Sequence, residues 1–431
     1  MSTVSIAMSE KTKKILVILL LLSIYIPYLD NNGKSLIDKQ AWDFPSFYYA
    51  GWLTFDKGLT PYNPTNWAMA ENQTTGIIYA FLSPPPSLPI FRSLNLLSYE
   101  NAKVLLLVLN QLLILLCLYV FFFKILKLNF INYFFVFGAV YLFSFNPIIS
   151  TLHSGQINLV ILALLVLTWL LLKDKKHPAL VALPLALAII LKLYPALFLI
   201  YFLIKKQYKV LFWTLGFLLV AVLVTYPMLP AGTWQDWLQN VAFAGYGSMV
   251  RGQLPTAVNN QGINAFTARL FLDHADKFRA LIPSNTAARF APVLLSAIVG
   301  LVTFAVIYLR SKKRPEDRLD DEISLILVTM FLVAPISWDY HLTFVIPAIL
   351  IALYRVTVLE NDRLWLILIA ATSLLLAFNY PFALPAFRQG VLSLLISAKF
   401  FAICVIWLFF VLKLSQPSKV PLPDTTVSEA V

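Results

Sequence analysis

The sequence is poor in charge. Only 13% of its 431 residues are Asp, Glu, Lys or Arg, against 60% that are hydrophobic. A soluble domain carries about 25% charged residues, so this chain cannot surround a water-facing core. Cysteine is nearly absent: Cys117 and Cys404 lie far apart in apolar runs. They make neither a metal spacing nor a disulfide framework, and ordinary packing accounts for both. No Walker A loop, no glycine-rich dinucleotide fingerprint and no clustered metal ligands occur. The long apolar runs, such as Leu159–Leu172, do not alternate with polar residues, which excludes a transmembrane β-barrel.

What the chain has instead is a series of apolar stretches about 18–25 residues long, each able to cross a bilayer. Lipid offers the backbone no partners, so these stretches must be helices. The sequence predicts an all-α, polytopic integral membrane protein with ten to twelve crossings. Helices are expected at 15–29, 103–123, 131–150, 157–172, 178–204, 208–228, 289–309, 323–338, 341–355, 363–380 and 391–413. The first follows Lys11, Lys13 and Lys14 but has no small-residue cleavage site after it, so it reads as an uncleaved helix. No strong internal repeat of the kind found in inverted-repeat transporters is visible.

The net charge is +12. The cations crowd into short loops: Lys124/Lys127, Lys173/Lys175/Lys176, Lys205/Lys206/Lys209, Arg310–Arg318 and Arg355/Arg363. They form no extended basic face, so nucleic acid is not an expected partner. The positive-inside rule puts these loops, the N-terminal segment 1–14 and the tail 414–431 in the cytoplasm, with the tail disordered. The membrane domain spans 15–413, and its long loops 30–102 and 229–288 fall outside. Two consequences follow from counting crossings. The run near 77–92, broken by Pro84-Pro85-Pro86, is a re-entrant or interfacial piece. The stretch 178–204 is a hairpin turning near Lys192-Leu193-Tyr194-Pro195. Trp42, Trp52, Trp67, Trp234 and Trp237 read as an interfacial belt.

Ionisable groups near lipid cost about 2.5–3.5 kcal/mol each and mark function by default. Asp43, set among aromatic residues after the first helix, is a candidate base or a helix N-cap; Asp38 and Asp30 compete with it. His341, in Ser337-Trp338-Asp339-Tyr340-His341, suits a phosphate contact or proton shuttling, or a hydrogen-bonded loop histidine. Lys192 offers a point charge to a lipid phosphate, or snorkels to the interface. Gln156 in His153–Asn158, Asn260 and Gln261 in Asn259–Asn264, and Arg269 supply amides and a guanidinium suited to sugar hydroxyls and phosphate. Under the charge-derived topology all of them fall on the outer face.

Five stretches together resemble glycosyltransferase family 87, of the GT-C superfamily. They are Asp43 with Phe47-Tyr48-Tyr49-Ala50 and Gly58…Pro61-Tyr62, then Tyr79-Ala80-Phe81-Leu82-Ser83-Pro84-Pro85, Ser154-Gly155-Gln156-Ile157-Asn158, Leu191-Lys192-Leu193-Tyr194-Pro195, and Asn260–Asn264…Arg269 with Ser337–His341. The resemblance implies transfer of a hexose, often mannose, from a polyprenyl-phosphate carrier to a lipid or glycan acceptor outside the membrane. It implies Asp43 as general base, inversion at the anomeric carbon and no cofactor or clustered acidic metal site. His341, Lys192, Arg269, Gln156, Asn260 and Gln261 are expected around the donor. The Tyr-x-Pro-Pro-like stretch departs from the family pattern, because Tyr79 stands away from Pro84 and Ser87 follows the prolines. A transporter or flippase of lipid-linked sugars is the competing reading. It predicts charges along a midplane path and polar residues on both faces.

Overall fold

A computed structural model describes residues 8–38, 41–73, 78–242, 255–273, 278–313, 318–360, 362–380 and 384–416. Among these the chain is helical, with no strand, and an isolated antiparallel bridge joins Asn260 to Trp338. Six helices are long and apolar enough to cross a membrane: Glu10–Asn32, Tyr99–Ile125, Tyr208–Met228, Asn285–Arg310, Asp339–Leu359 and Val391–Ser415. A seventh span arises if Tyr133–Phe143 and Asn146–Ser154, bent by 42°, count as one. Pro147 sits in the first turn of the second piece, where its missing N–H costs no hydrogen bond. The expected higher number of crossings differs because several apolar helices are short: Asn158–Lys173, Pro178–Leu191, Tyr194–Ile204 and Arg363–Ala377.

The expected hairpin at 178–204 is present and its turn is physically determined. Lys192 is extended (φ −148°, ψ 136°) and Pro195 starts the next turn, so the helix cannot continue. Both legs pack on Tyr208–Thr225; Pro178–Leu191 also packs on Asn158–Lys173, and Leu197–Ile204 on Asn285–Lys313. The opposite end of the hairpin is pinned by charge. Lys205 pairs with Glu322 at 2.9 Å, while Lys173, at the end of the preceding helix, pairs with Asp320 at 2.6 Å. Both carboxylates lie in the first turn of Leu319–Val333, where the helix dipole favours anions. Arg355 bonds Asp321 and Glu360, and Lys413 bonds Glu360. The lysines and arginines of the short loops thus meet at one end of the bundle, in partnership with acids that a tally of cations alone passes over.

The helix expected at 323–338 runs instead over Leu319–Val333 and stops as the chain turns extended at Ala334, before Pro335. The last helix runs to Ser415, and residues 417–431 of the expected disordered tail lie outside the described residues, as do residues 1–7. The first long loop contains a helix not anticipated from sequence, Phe44–Asp56. It packs on Leu88–Arg92, and Gly51 permits the approach: a Cβ there would stand 2.9 Å from the Arg92 backbone. Pro84, Pro85 and Pro86 are buried rather than interfacial. Trp67 likewise leaves the expected aromatic belt, being 1% exposed with its indole N–H donating to the Pro61 carbonyl at 2.7 Å.

Candidate active site

Asp43 stands at the N-cap of Phe44–Asp56, yet its side chain caps nothing. Its backbone N–H donates to the Ser154 carbonyl at 2.9 Å. Its buried carboxylate stands beside the Gln156 and Tyr340 side chains, close enough for both to act on its charge. Two distant stretches therefore meet at Asp43 through the turn at Gly155. That residue ends the Asn146–Ser154 helix in the left-handed conformation (φ 65°), with Gln156 N–H bonding back to Thr151 at 3.0 Å. A Cβ on Gly155 would lie 2.6 Å from the Phe44 Cβ. Gly155→Ala is thus expected to lose about 1–3 kcal/mol of stability. A fall in melting temperature in detergent checks this; an unchanged melt would contradict it.

Lys192 is buried, and its ammonium is surrounded. It donates to Asn158 Oδ1 at 2.7 Å and Gln156 Oε1 at 3.0 Å, and it meets His341 Nε2 at 3.2 Å. A charged ammonium has only donors, so beside it Nε2 accepts and the His341 proton sits on Nδ1. Gln156 joins base and cation: its oxygen faces Lys192 and its N–H faces Asp43. Asn158 fixes the other side. Its Nδ2 donates to the Tyr340 carbonyl at 3.1 Å. Thr151, also bonded to that carbonyl, pairs with Thr343 at 2.9 Å. Tyr194 closes the turn, its ring centroid 5.2 Å from His341.

These groups line one cavity of about 310 Å³. Asp43, Gln156, Lys192 and His341 all border it, as do Ser83 of the proline-rich segment, Trp237 and Tyr340. The Tyr62 hydroxyl holds the proline segment in place by donating to the Ser83 carbonyl at 2.6 Å. Burial pushes the Asp43 carboxyl above its ordinary range, opposed by the neighbouring Gln156 and Tyr340 side chains and by the Lys192 charge. Asp30 is exposed on the first helix, and the side chain of Asp38 falls outside what the structure describes.

Asn260, Gln261 and Arg269 do not border the cavity. They brace the loop that does. Asn260 Oδ1 accepts from Ser337 N–H at 3.0 Å, and Gln261 N–H donates to the Ser337 carbonyl at 2.7 Å. The Gln261 amide also bonds the Ile396 carbonyl at 2.7 Å. Arg269, 2% exposed, donates to the carbonyls of Ala257 and Asn260 and to Ser397 Oγ. Its guanidinium is directed into the protein's own backbone, which is why it is buried away from the cavity. Sequence alone does not single out Tyr340, which lines the cavity, or Asn158, which holds Lys192 from behind; both lie inside the polar stretches His153–Asn158 and Ser337–His341. Among the described residues no three His, Cys, Asp or Glu are grouped to hold a metal ion.

A multi-pass helical membrane protein whose cavity holds a carboxylate and a cation narrows the class to proteins handling polar groups at a membrane. The family model of glycosyltransferase family 87 matches residues 81–335, more than half of the sequence, and the chain belongs to that family. Two curated relatives carry the name polyprenol-phosphate-mannose-dependent alpha-(1-2)-phosphatidylinositol mannoside mannosyltransferase. The one from Mycolicibacterium smegmatis is 28% identical over 252 residues, covering 58% of this chain and 53% of the relative. The one from Mycobacterium tuberculosis is 26% identical over 208 residues, covering 48% and 43%. The chain thus spans about half the length of the curated relatives it matches.

Proposed function

We propose that the protein is a membrane mannosyltransferase that moves a hexose, mannose by similarity to its relatives, from a polyprenyl-phosphate carrier to a lipid-borne hydroxyl. The observation that carries this reading is the meeting of Asp43 and Lys192 at one cavity, coupled through Gln156. A hydroxyl is a poor nucleophile at neutral pH and needs a base within reach. Asp43 takes the hydroxyl proton. The freed oxygen attacks the anomeric carbon, the bond from that carbon to the phosphate oxygen breaks, and its electron pair leaves with the carrier phosphate. One displacement inverts the anomeric centre. Burial pushes the Lys192 ammonium down to about 7, opposed by the Asp43 charge, and an arriving phosphate favours its charged form; Lys192 then supplies positive charge where the leaving phosphate gains negative charge.

All three Lys192 protons already have acceptors, so an arriving phosphate replaces one of them. His341, the longest of the three contacts at 3.2 Å, borders that position. Lys173, Lys205 and Lys413 are ion-paired at the far end of the bundle, which under the positive-inside rule supports a cavity open toward the outer face. The acceptor is then an outer-leaflet lipid. A flippase would need polar groups along a path between the two faces; here the cavity groups and the ion-paired loops form separate clusters.

The test is transfer of labelled mannose from polyprenyl-phosphate-mannose to a panel of lipid acceptors by the purified protein. Transfer with an inverted product is expected; movement of intact donor between leaflets without transfer would overturn the reading. The profile of kcat/KM against pH offers a second check. Asp43 acts only when ionised, and burial raises its pKa, so activity falls on acidification at a pH above the ordinary carboxylate value of about 4. An acid limb at or below that value would remove Asp43 from the rate.

A further inference from the structure

We propose that Lys399, on the last helix, is a positioning residue for this site: its ion pair with Asp339 holds the 337–341 loop so that Tyr340 reaches Asp43 and His341 reaches Lys192. Lys399 lies well beyond the segment matched by the family model. It lies inside the helical run Val391–Ser415 and is 5% exposed in an otherwise apolar stretch. A lysine kept there needs a partner. Its ammonium reaches Asp339 Oδ2 at 3.3 Å and Asn379 Oδ1 at 3.5 Å.

Asp339 directly precedes the two residues that enter the site. Its backbone N–H is held by the Asn259 carbonyl at 2.8 Å, and its second oxygen, Oδ1, has no partner. Arg269 is close enough to act on this carboxylate through space, and its Nη2 is also without a partner. The carboxylate therefore stands between two buried cations, and only Lys399 makes direct contact. Without Lys399 the unbalanced charge is drawn toward Arg269 and takes the Tyr340 hydroxyl away from Asp43.

The activity readout rests on the transferase reading; the loop readout does not. Lys399→Met is expected to lower kcat roughly 10- to 100-fold with the donor KM within about two-fold, as a misplaced catalytic group does. The acid limb of kcat/KM moves to higher pH, because Tyr340, which favours the ionised form of Asp43, moves away from it. Lys399→Arg retains turnover. The double variant Asp339→Asn/Lys399→Met, which leaves no unbalanced charge, recovers most of it. Hydrogen exchange at the amides of 337–343 follows the same loop without turnover: protection drops in the single variant and returns in the double. If the single variant does not fold, the double variant must fold and keep loop protection. Wild-type exchange in Lys399→Met, or a double variant no better protected than the single, overturns the positioning role. An inactive wild type with the expected exchange pattern overturns the transferase reading alone.

Discussion

Asp43→Asn lowers transfer by about 10²- to 10⁴-fold, the usual contribution of acid–base catalysis. The substitution keeps the size and hydrogen-bonding reach of the side chain, so Tyr340 and Gln156 remain beside it. It removes the lone pair that takes the acceptor proton. Membrane insertion and the melting temperature in detergent stay near wild type, because burial of this carboxylate opposes its charge and an amide has none to desolvate. The donor KM changes little, since the loss falls on a step in which the acceptor is deprotonated. Single-turnover measurement with labelled donor separates the two parameters. Near-normal turnover in the variant would require another base, and among the described residues no other carboxylate borders the cavity.

Lys192→Met is expected to cost at least about 10²-fold in turnover. Three buried acceptors, Gln156 Oε1, Asn158 Oδ1 and His341 Nε2, lose their shared donor at once. Gln156 is then free to rotate, and the link from cation to base is gone. Lys192→Arg does not rescue. The ammonium sends its protons toward three acceptors in three directions, whereas a guanidinium is a planar fork on a longer stem. An arginine variant with wild-type kcat would show that charge alone suffices and that the three-point arrangement around the ammonium is dispensable.

Much of this fold is written in local sequence. Charge placement locates the hairpin at 178–204, because Lys176 and Lys205 flank an apolar run too long for one short helix and Pro195 demands a break. The structure adds the reason it stays there: Asp320 and Glu322 receive lysines from both sides. Asp43, Gln156, Lys192 and His341 were legible because polarity beside lipid is costly. Asn260, Gln261 and Arg269 carry the same signal for a different reason. They are polar because the 255–264 loop has backbone groups to satisfy, and composition cannot distinguish an amide facing a cavity from one facing a carbonyl. The Phe44–Asp56 helix was not legible. It is short and apolar on several sides, and its burial depends on Leu88–Arg92, some forty residues away. Lys399 escaped notice because its partner, Asp339, comes from a separate helix and no spacing rule connects them.

The account places the leaving phosphate at Lys192 and the attacked carbon toward Asp43. A structure of the protein with a non-hydrolysable polyprenyl-phosphate-mannose analogue measures this directly. The expected result is a phosphate oxygen within hydrogen-bond distance of Lys192, the sugar in the cavity, and open space between its anomeric carbon and the Asp43 carboxylate for one hydroxyl. A phosphate bound instead among Lys205, Arg355 and Lys413 at the far end of the bundle, with the cavity empty, would contradict it.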